Sequence, residues 1–430
     1  MRKKLIYIFM TVALFVTSLG ITTTFVHGEE VSSSALLDKC MEVGKNFIHD
    51  YYYTIDMKKD MDINQYVNKK EVFQYIDLKH EIMKNRKVRS NINVSNFSVD
   101  TSCYDYDVTD NRVEITYNVK VKHQYTGCDE MSESGQRVKL SFENTNGLIS
   151  ITDYFEITDF DINISLAQKK SGNTKRVSVS SNENNSYKLD FGAESIKILK
   201  NTLTEENSFY DKLDLKAELY KKDENSISDG RIDYNNYAGI LSVSSTARNN
   251  MATYATTNCT KASPSSGNSS YASYYDFSQI SGAHDCTNFM SHCLLAGGAV
   301  ENHNKWYYDS LSARSPSWSG VDQFHDFIVS NTGTGPKAEG ESLAYSCPPQ
   351  YINWEKGDVI QLKEANYNPT GFGHSTMVTG TYYINSYVTI PMVTSRTGVD
   401  WYTKNEILTE KYPIGSKIVD YRLIHITSLT

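Results

Sequence analysis

The sequence predicts an α+β fold, and two observations carry that prediction. Near the start of the chain apolar residues recur twice at helical spacing and then give way to four segments that alternate apolar and polar residues. A second helix-then-strand order follows after residue 233. With 430 residues, 39 % of them hydrophobic and 22 % charged, the chain can bury more than one core.

Arg2, Lys3 and Lys4 precede an apolar run from Leu5 to Leu19, and Val26-His27-Gly28 offers a small-residue exit before Glu29 and Glu30. This is the order of a secretory signal peptide over residues 1–28. The run falls short of the ~20 apolar residues that a membrane span needs, although an uncleaved anchor is the alternative. The expected mature chain begins near Glu29, is secreted or extracellular, and makes no stable membrane insertion after signal cleavage.

In the segment 33–53, Leu37, Cys40, Met41, Phe47, Ile48 and Tyr51 mark an amphipathic helix, and a second is expected over 63–83. Residues 97–106, 112–125, 137–143 and 148–157 then read as strands rich in Val, Ile, Tyr and Thr. Asp110-Asn111 and Asn146-Gly147 mark hairpin turns, the second being the pair that a type I′ turn favours. N-terminal helices packed on a curved antiparallel sheet are therefore expected over 29–164. No cluster of His, Asp or Cys there points to chemistry, so a spacer or binding module is the reading. The Ser-, Asn- and Lys-rich stretch 165–188 has linker composition, and helical spacing returns at Ile196, Leu199, Leu203 and Tyr210. Residues 165–232 are expected to form a connector, and 233–430 a C-terminal α+β domain. That domain opens with helical spacing at Tyr237, Ala238, Ile240 and Leu241 and again over 252–255, before a Ser-, Gly- and Asn-rich loop over 261–273.

Charge excludes some functions. The net charge of −8 becomes more negative once Arg2, Lys3 and Lys4 are removed, which argues against nucleic acid and against electrostatic adhesion to an anionic wall or membrane. Seven cysteines are too sparse for a disulfide scaffold and show no repeated zinc-ligand spacing. An odd number in an exported chain leaves one thiol to be accounted for.

The segment from Gly282 to Gly298 reads as a loop, a helix from Cys286 to Ala296 and a glycine stop. Cys286 falls on the first helical turn, where unsatisfied backbone N–H groups and the positive end of the helix dipole favour thiolate. The same N–H groups can stabilise an oxyanion. A nucleophilic thiol also needs a base, and Phe372-Gly373-His374 opens an apolar strand that would hold His374 rigidly. If Asn385-Ser386 forms a two-residue turn, Thr397 lies opposite His374 and Ser395 shares its face. Thr397 and Ser395 are thus the candidates for the group that orients the imidazole, unless a one-residue bulge brings Arg396 to that face.

These residues bring out a resemblance over residues 234–427. Asp285-Cys286-Thr287-Asn288-Phe289 with Ser291 and Cys293, Ala296-Gly297-Gly298, Trp306-Tyr307-Tyr308, Ser317-Trp318, the run from Trp354 to Gln361, the run from Gly373 to Gly380 and that from Tyr421 to Ile426 resemble, in family order, the Putative amidase domain family of exported bacterial proteins. That family is similar to papain-like cell-wall peptidases. The resemblance implies a papain-like α+β domain, Cys286 as nucleophile, His374 as base, and an amide bond in a peptide or peptidoglycan-like substrate. No cofactor and no metal are expected. Where such sequences often carry histidine before threonine at the end of the next strand, this chain has Arg396-Thr397.

Other readings stand beside these. Asp285 is expected to cap the helix, and Cys293 to be core. Trp306, Tyr307, Tyr308, Trp318 and Trp354 suit either a substrate groove or an aromatic core. His284, Cys286, His292, Cys293 and His374 are zinc-ligand types, but residues 286, 292 and 293 do not converge on one point of a helix. A papain-like domain that binds cell wall without turnover is the remaining alternative.

Overall fold

The computed structural model of the protein describes residues 33–109, 112–157, 191–223, 243–261, 275–277, 284–343, 354–364, 372–383, 389–398, 400–415 and 418–430. The signal-peptide reading, the linker at 165–188, the helical spacing at 237–241, most of the loop at 261–273, the turns at Asp110-Asn111 and Asn385-Ser386, and Cys347 lie outside the described residues.

Apolar spacing builds the first two helices. In α1 (Ser33–Asp56), Leu36, Cys40, Phe47, Tyr51 and Ile55 fall on one buried stripe. The second helix, α2 (Lys70–Arg89), begins seven residues later than the periodicity predicts, because a short 3₁₀ turn (Ile63–Gln65) takes up the start of the apolar pattern. The strands β1 (Val94–Thr109), β2 (Arg112–Tyr125), β3 (Ser132–Thr145) and β4 (Leu148–Ile157) follow as an antiparallel meander. Alternate residues of β2 are buried, and Val113, Ile115, Tyr117 and Val119 form one core with Phe47, Tyr51, Tyr75 and Ile76 of the helices. Asn146 and Gly147 both take positive φ, +54° and +86°, as a type I′ turn requires.

The chain continues through α3 (Ala193–Asp223), α4 (Ser245–Asn258), α5 (Cys286–Ala296), α6 (Pro316–Ser319), α7 (Val321–Ser330), β5 (Lys337–Leu343), β6 (Val359–Glu364), β7 (His374–Tyr383), β8 (Thr389–Arg396), β9 (Tyr402–Ile407), α8 (Leu408–Lys411) and β10 (Ile418–Ser428). These strands are not a second sheet. All belong to one ten-stranded antiparallel sheet in the order β1-β2-β3-β9-β8-β7-β6-β10-β5, with β4 also on β3. The junction is Glu133–Gly135 of β3 against Tyr402–Lys404 of β9.

On the C-terminal side of that junction both faces of the sheet are covered. Val359, Met377 and Ile424 pack against Met251 of α4 and Phe289 and Leu294 of α5, while their chain neighbours Ile360, Val378 and Leu423 pack on the opposite face with Phe209 and Tyr210 of α3. Two-sided burial is why these strands read as continuous apolar runs where β2 alternates. The helix α3 also clamps the two halves together, because Glu206 accepts a forked pair of hydrogen bonds from Arg86 of α2 at 2.8 and 2.7 Å. Among the described residues no helix is long and apolar enough to cross a membrane.

Candidate active site

Helix α5 starts at Cys286, and β7 starts at His374; the packing of α5 on β7 brings these two ends together. The thiol of Cys286 is hydrogen-bonded to the His374 imidazole and to the backbone N–H of Ser375, and its sulfur lies 3.8 Å from the hydroxyl of Thr287. Both side chains are buried, each residue being 3 % exposed. Burial pushes the Cys286 thiol up, but the hydrogen bond and charge of His374, with the Ser375 N–H and the Thr287 hydroxyl, outweigh it and hold the thiol below its ordinary range. The other described cysteines behave as inert thiols. Burial pushes Cys40 up to about 11 and Cys259 up to about 12, and Cys293, in the core behind the nucleophile, is raised too. Cys103 and Cys128 are likewise raised, and all six described thiols are free of disulfides.

Hydroxyl and amide groups brace this pair. Thr287 Oγ1 and Ser375 Oγ are 3.0 Å apart, and Gln361 Nε2 donates to Ser375 Oγ at 3.2 Å and to the carbonyl of Val321 at 2.9 Å. The guanidinium of Arg422 then donates to Gln361 Oε1. These contacts tie α5, β7, β6, α7 and β10 into one support for the thiol.

The expectation for Asp285 needs correction. It occupies the position before the helix, but its backbone is helical (φ −95°, ψ −2°) and its carboxylate makes no capping hydrogen bond. Instead Asp285 Oδ1 accepts from the Phe277 N–H at 3.0 Å and from Asn288 Nδ2 at 2.8 Å, and Oδ2 accepts from Arg396 Nε at 3.0 Å. Arg396 is fully buried. It donates further to Asp276 Oδ2 at 2.6 Å and to the carbonyl of Cys259 at 2.8 Å. The arginine that stands where the resemblance leads one to expect histidine is thus the centre of an Asp276–Arg396–Asp285 cluster next to the nucleophile. Its side chain reaches the carboxylate beside Cys286.

Near the site, β7 and β8 pair through Met377 with Thr394 and Val378 with Val393. Carried three residues beyond Met377, that register would set Thr397 opposite His374 and Ser395 diagonal to it on the same face. Further along the hairpin the register is offset by one residue through a bulge between Val378 and Gly380. Thr397 is held by its backbone: its carbonyl accepts from the Asp285 N–H at 3.4 Å and its N–H donates to Trp401 at 2.9 Å. Ser395 Oγ lies 3.0 Å from the hydroxyl of Tyr412.

Trp306 and Trp318 are fully buried and belong to the core rather than to a groove. Trp318 Nε1 donates to Asn288 Oδ1 at 2.7 Å, and Trp306 Nε1 donates to Ser291 Oγ at 3.1 Å, so both rings fix the far side of α5. Asp358, in the run from Trp354, is also structural: it accepts from Arg248, the Ile426 N–H and the Glu355 N–H at 2.8 to 3.0 Å. His292 is buried against Trp318 and Tyr254. Among the described residues no three His, Cys, Asp or Glu side chains are grouped so as to hold a metal ion.

Residues 245–418 match the family model described as Putative amidase domain. The similarity to that family covers less than half of the chain. Its match begins with α4 and ends at the start of β10, so it contains both Cys286 and His374. No curated protein and no solved structure matches the chain. Sequence reading did not find Ser375, Thr287, Asp276 or Tyr412 as neighbours of Cys286 and His374. Ser375 and Thr287 stood beside the quoted dyad residues, whereas Asp276 and Tyr412 reach it only through tertiary packing.

Proposed function

We propose that the protein is a secreted, cysteine-dependent amidase or peptidase in which Cys286 is the nucleophile and His374 the general acid and base. The observation that carries this reading is that Cys286, at the start of α5, meets His374, at the start of β7, and alone among the described cysteines is held below its ordinary range, by that imidazole and by the backbone N–H of Ser375 in β7.

The steps follow from that pair. The Cys286 thiolate attacks the amide carbonyl carbon, and N–H groups of the first turn of α5 stabilise the oxyanion. The C–N bond breaks as His374 passes a proton to the departing amine, leaving a thioester on Cys286. Water then attacks the thioester with His374 accepting one of its protons, the C–S bond breaks, and a carboxylic acid leaves, losing its remaining proton to solvent, as the thiolate–imidazolium pair is restored. An acceptor amine in place of water would give transpeptidation through the same groups. The secretory signal order of residues 1–28 and the resemblance favour a peptide or a peptidoglycan stem or cross-link as substrate.

The test is iodoacetamide labelling of the purified protein across pH, with the adduct located by mass spectrometry, followed by release of amine from cell-wall peptide fragments. Cys286 should label well below the unperturbed thiol pKa of about 8.5, with that advantage lost in His374→Ala. An inert Cys286, with cell-wall fragments bound but never cleaved, would replace this reading by a binding module.

A further inference from the structure

We propose that Tyr412, acting together with Ser395, is the positioning residue of His374; this rests on the Cys286–His374 reading above. A catalytic imidazole uses one nitrogen on the nucleophile, and its ring must be fixed by something else. The residue that the resemblance points to for that task, Arg396, is engaged elsewhere: its guanidinium bonds Asp276, Asp285 and the carbonyl of Cys259. A guanidinium also offers no acceptor to an imidazole N–H.

The opposite face of β8 carries neutral groups instead. The pairing of Met377 with Thr394, extended to the start of β7, sets Ser395 diagonal to His374 on the same face of the sheet, within reach of a side-chain contact. Tyr412, which follows α8, brings its ring to 5.9 Å from the imidazole, centroid to centroid, at an interplanar angle of 55°. Its hydroxyl lies 3.0 Å from Ser395 Oγ and 3.0 Å from Thr403 Oγ1. The tyrosine is 1 % exposed, and its main chain is pinned by an N–H donated to Leu408 at 2.8 Å and by a carbonyl that accepts from the Tyr421 hydroxyl. A ring held at both ends and hydroxyls on β8 and β9 thus form a fixed wall beside His374. This wall orients the imidazole without adding a charge, so the thiolate keeps the imidazolium as its own counter-ion.

The experiment measures the rate of Cys286 alkylation by iodoacetamide against pH in the full chain, for wild type, Tyr412→Phe, Ser395→Ala, Ser395→Thr and His374→Ala, alongside thermal unfolding. Tyr412→Phe keeps the ring and removes the hydroxyl. The expected result is a roughly tenfold slower alkylation below neutral pH, equivalent to the pH midpoint rising by about one unit, with the melting temperature nearly unchanged. Ser395→Ala should shift the profile in the same sense and Ser395→Thr should restore it. If Tyr412→Phe and Ser395→Ala follow the wild-type profile and change only the melting temperature, the hydroxyls are structural and the proposal falls while the dyad stands. If wild type and His374→Ala share one profile, the dyad itself is wrong and the proposal falls with it. Should Tyr412→Phe fail to fold, the contrast between Ser395→Ala and Ser395→Thr decides.

Discussion

Arg396 shows how a single side chain can be demanded by its neighbours. Its guanidinium and the carboxylates of Asp276 and Asp285 are all fully buried, so each charge is tolerable only because the others are present. Replacing Arg396 with Met leaves two buried carboxylates uncompensated and should lower unfolding stability by about 3–5 kcal/mol. Arg396→Lys keeps the charge but loses the fork, and should fall between wild type and Arg396→Met. Urea unfolding followed by fluorescence tests the order; equal midpoints for all three proteins would remove the cluster from the account. The sequence showed this arginine only as a departure from an expected histidine. Its partner Asp276 is one of 51 acidic residues and carries no local mark, so the cluster became visible only when α5, β8 and the segment 275–277 were assembled. Cys286 and His374 were legible for the opposite reason. Each sits at the start of an element that its own neighbours define, one by a helix ending at Gly297 and the other by an apolar strand.

Among the elements, those with uninterrupted periodicity were read correctly from sequence. Helix α5 and strands β2 and β4 have the bounds that their spacing predicts, and Asn146-Gly147 closes its hairpin as expected. Strands β5 and β9 escaped notice because the short run Lys337–Leu343 and the polar run Tyr402–Ile407 carry little alternation. Strand β9 is strand because it is clamped between β3 and β8, a tertiary cause with no local signature. The clamp depends on Gly135, where an added Cβ would press on the Tyr402 ring and come to 2.9 Å from the carbonyl of Asp400. Tyr402 is fully buried and its ring has no room to retreat. Gly135→Ala should therefore cost about 1–3 kcal/mol and lower the urea midpoint with the slope unchanged. A midpoint equal to wild type would mean that the β3–β9 contact is loose.

Across the whole molecule, a buried charge cluster bridges the two halves. Lys87 of α2 pairs with Asp56 of α1 at 2.9 Å and with Glu410 of α8 at 2.6 Å, while His123 of β2 stands 3.1 Å from Asp56 and 3.5 Å from Glu406 of β9. Burial and the charge of Lys87 push His123 down, but Asp56 and Glu406 outweigh them and raise it from 6.5 to about 9. Burial pushes Glu406 up, and the charges of His123 and Lys87 bring it from 4.5 down to about 2. The stability that His123 contributes is complete below pH 6.5 and fades as pH rises through about 9. That of Glu406 is complete above pH 4.5 and fades as pH falls towards 2. The melting temperature should therefore peak between these limits, and His123→Gln should flatten its alkaline decline; an unchanged decline in that variant would rule His123 out as the cause. The joining of the halves was hidden from the sequence because its contacts are so distant: Glu130 and Asn405, bonded at 2.7 Å, stand 275 positions apart.

That distance imposes an order on the making of the molecule. A ribosome or a translocation channel delivers the N-terminal strands first, and β3 arrives with one side of its edge at Glu133–Gly135 awaiting a partner that the chain has yet to supply. The helices α1 and α2 can already seal their own core against β2, so this early part is not left wholly open. Its remaining edge closes only when Tyr402–Lys404 emerges, and the strand that closes it is the one that carries Thr403 to the hydroxyl of Tyr412. The residues beside His374 are therefore among the last to find their places, and a chain interrupted before β9 is born without the hydroxyl wall beside that imidazole.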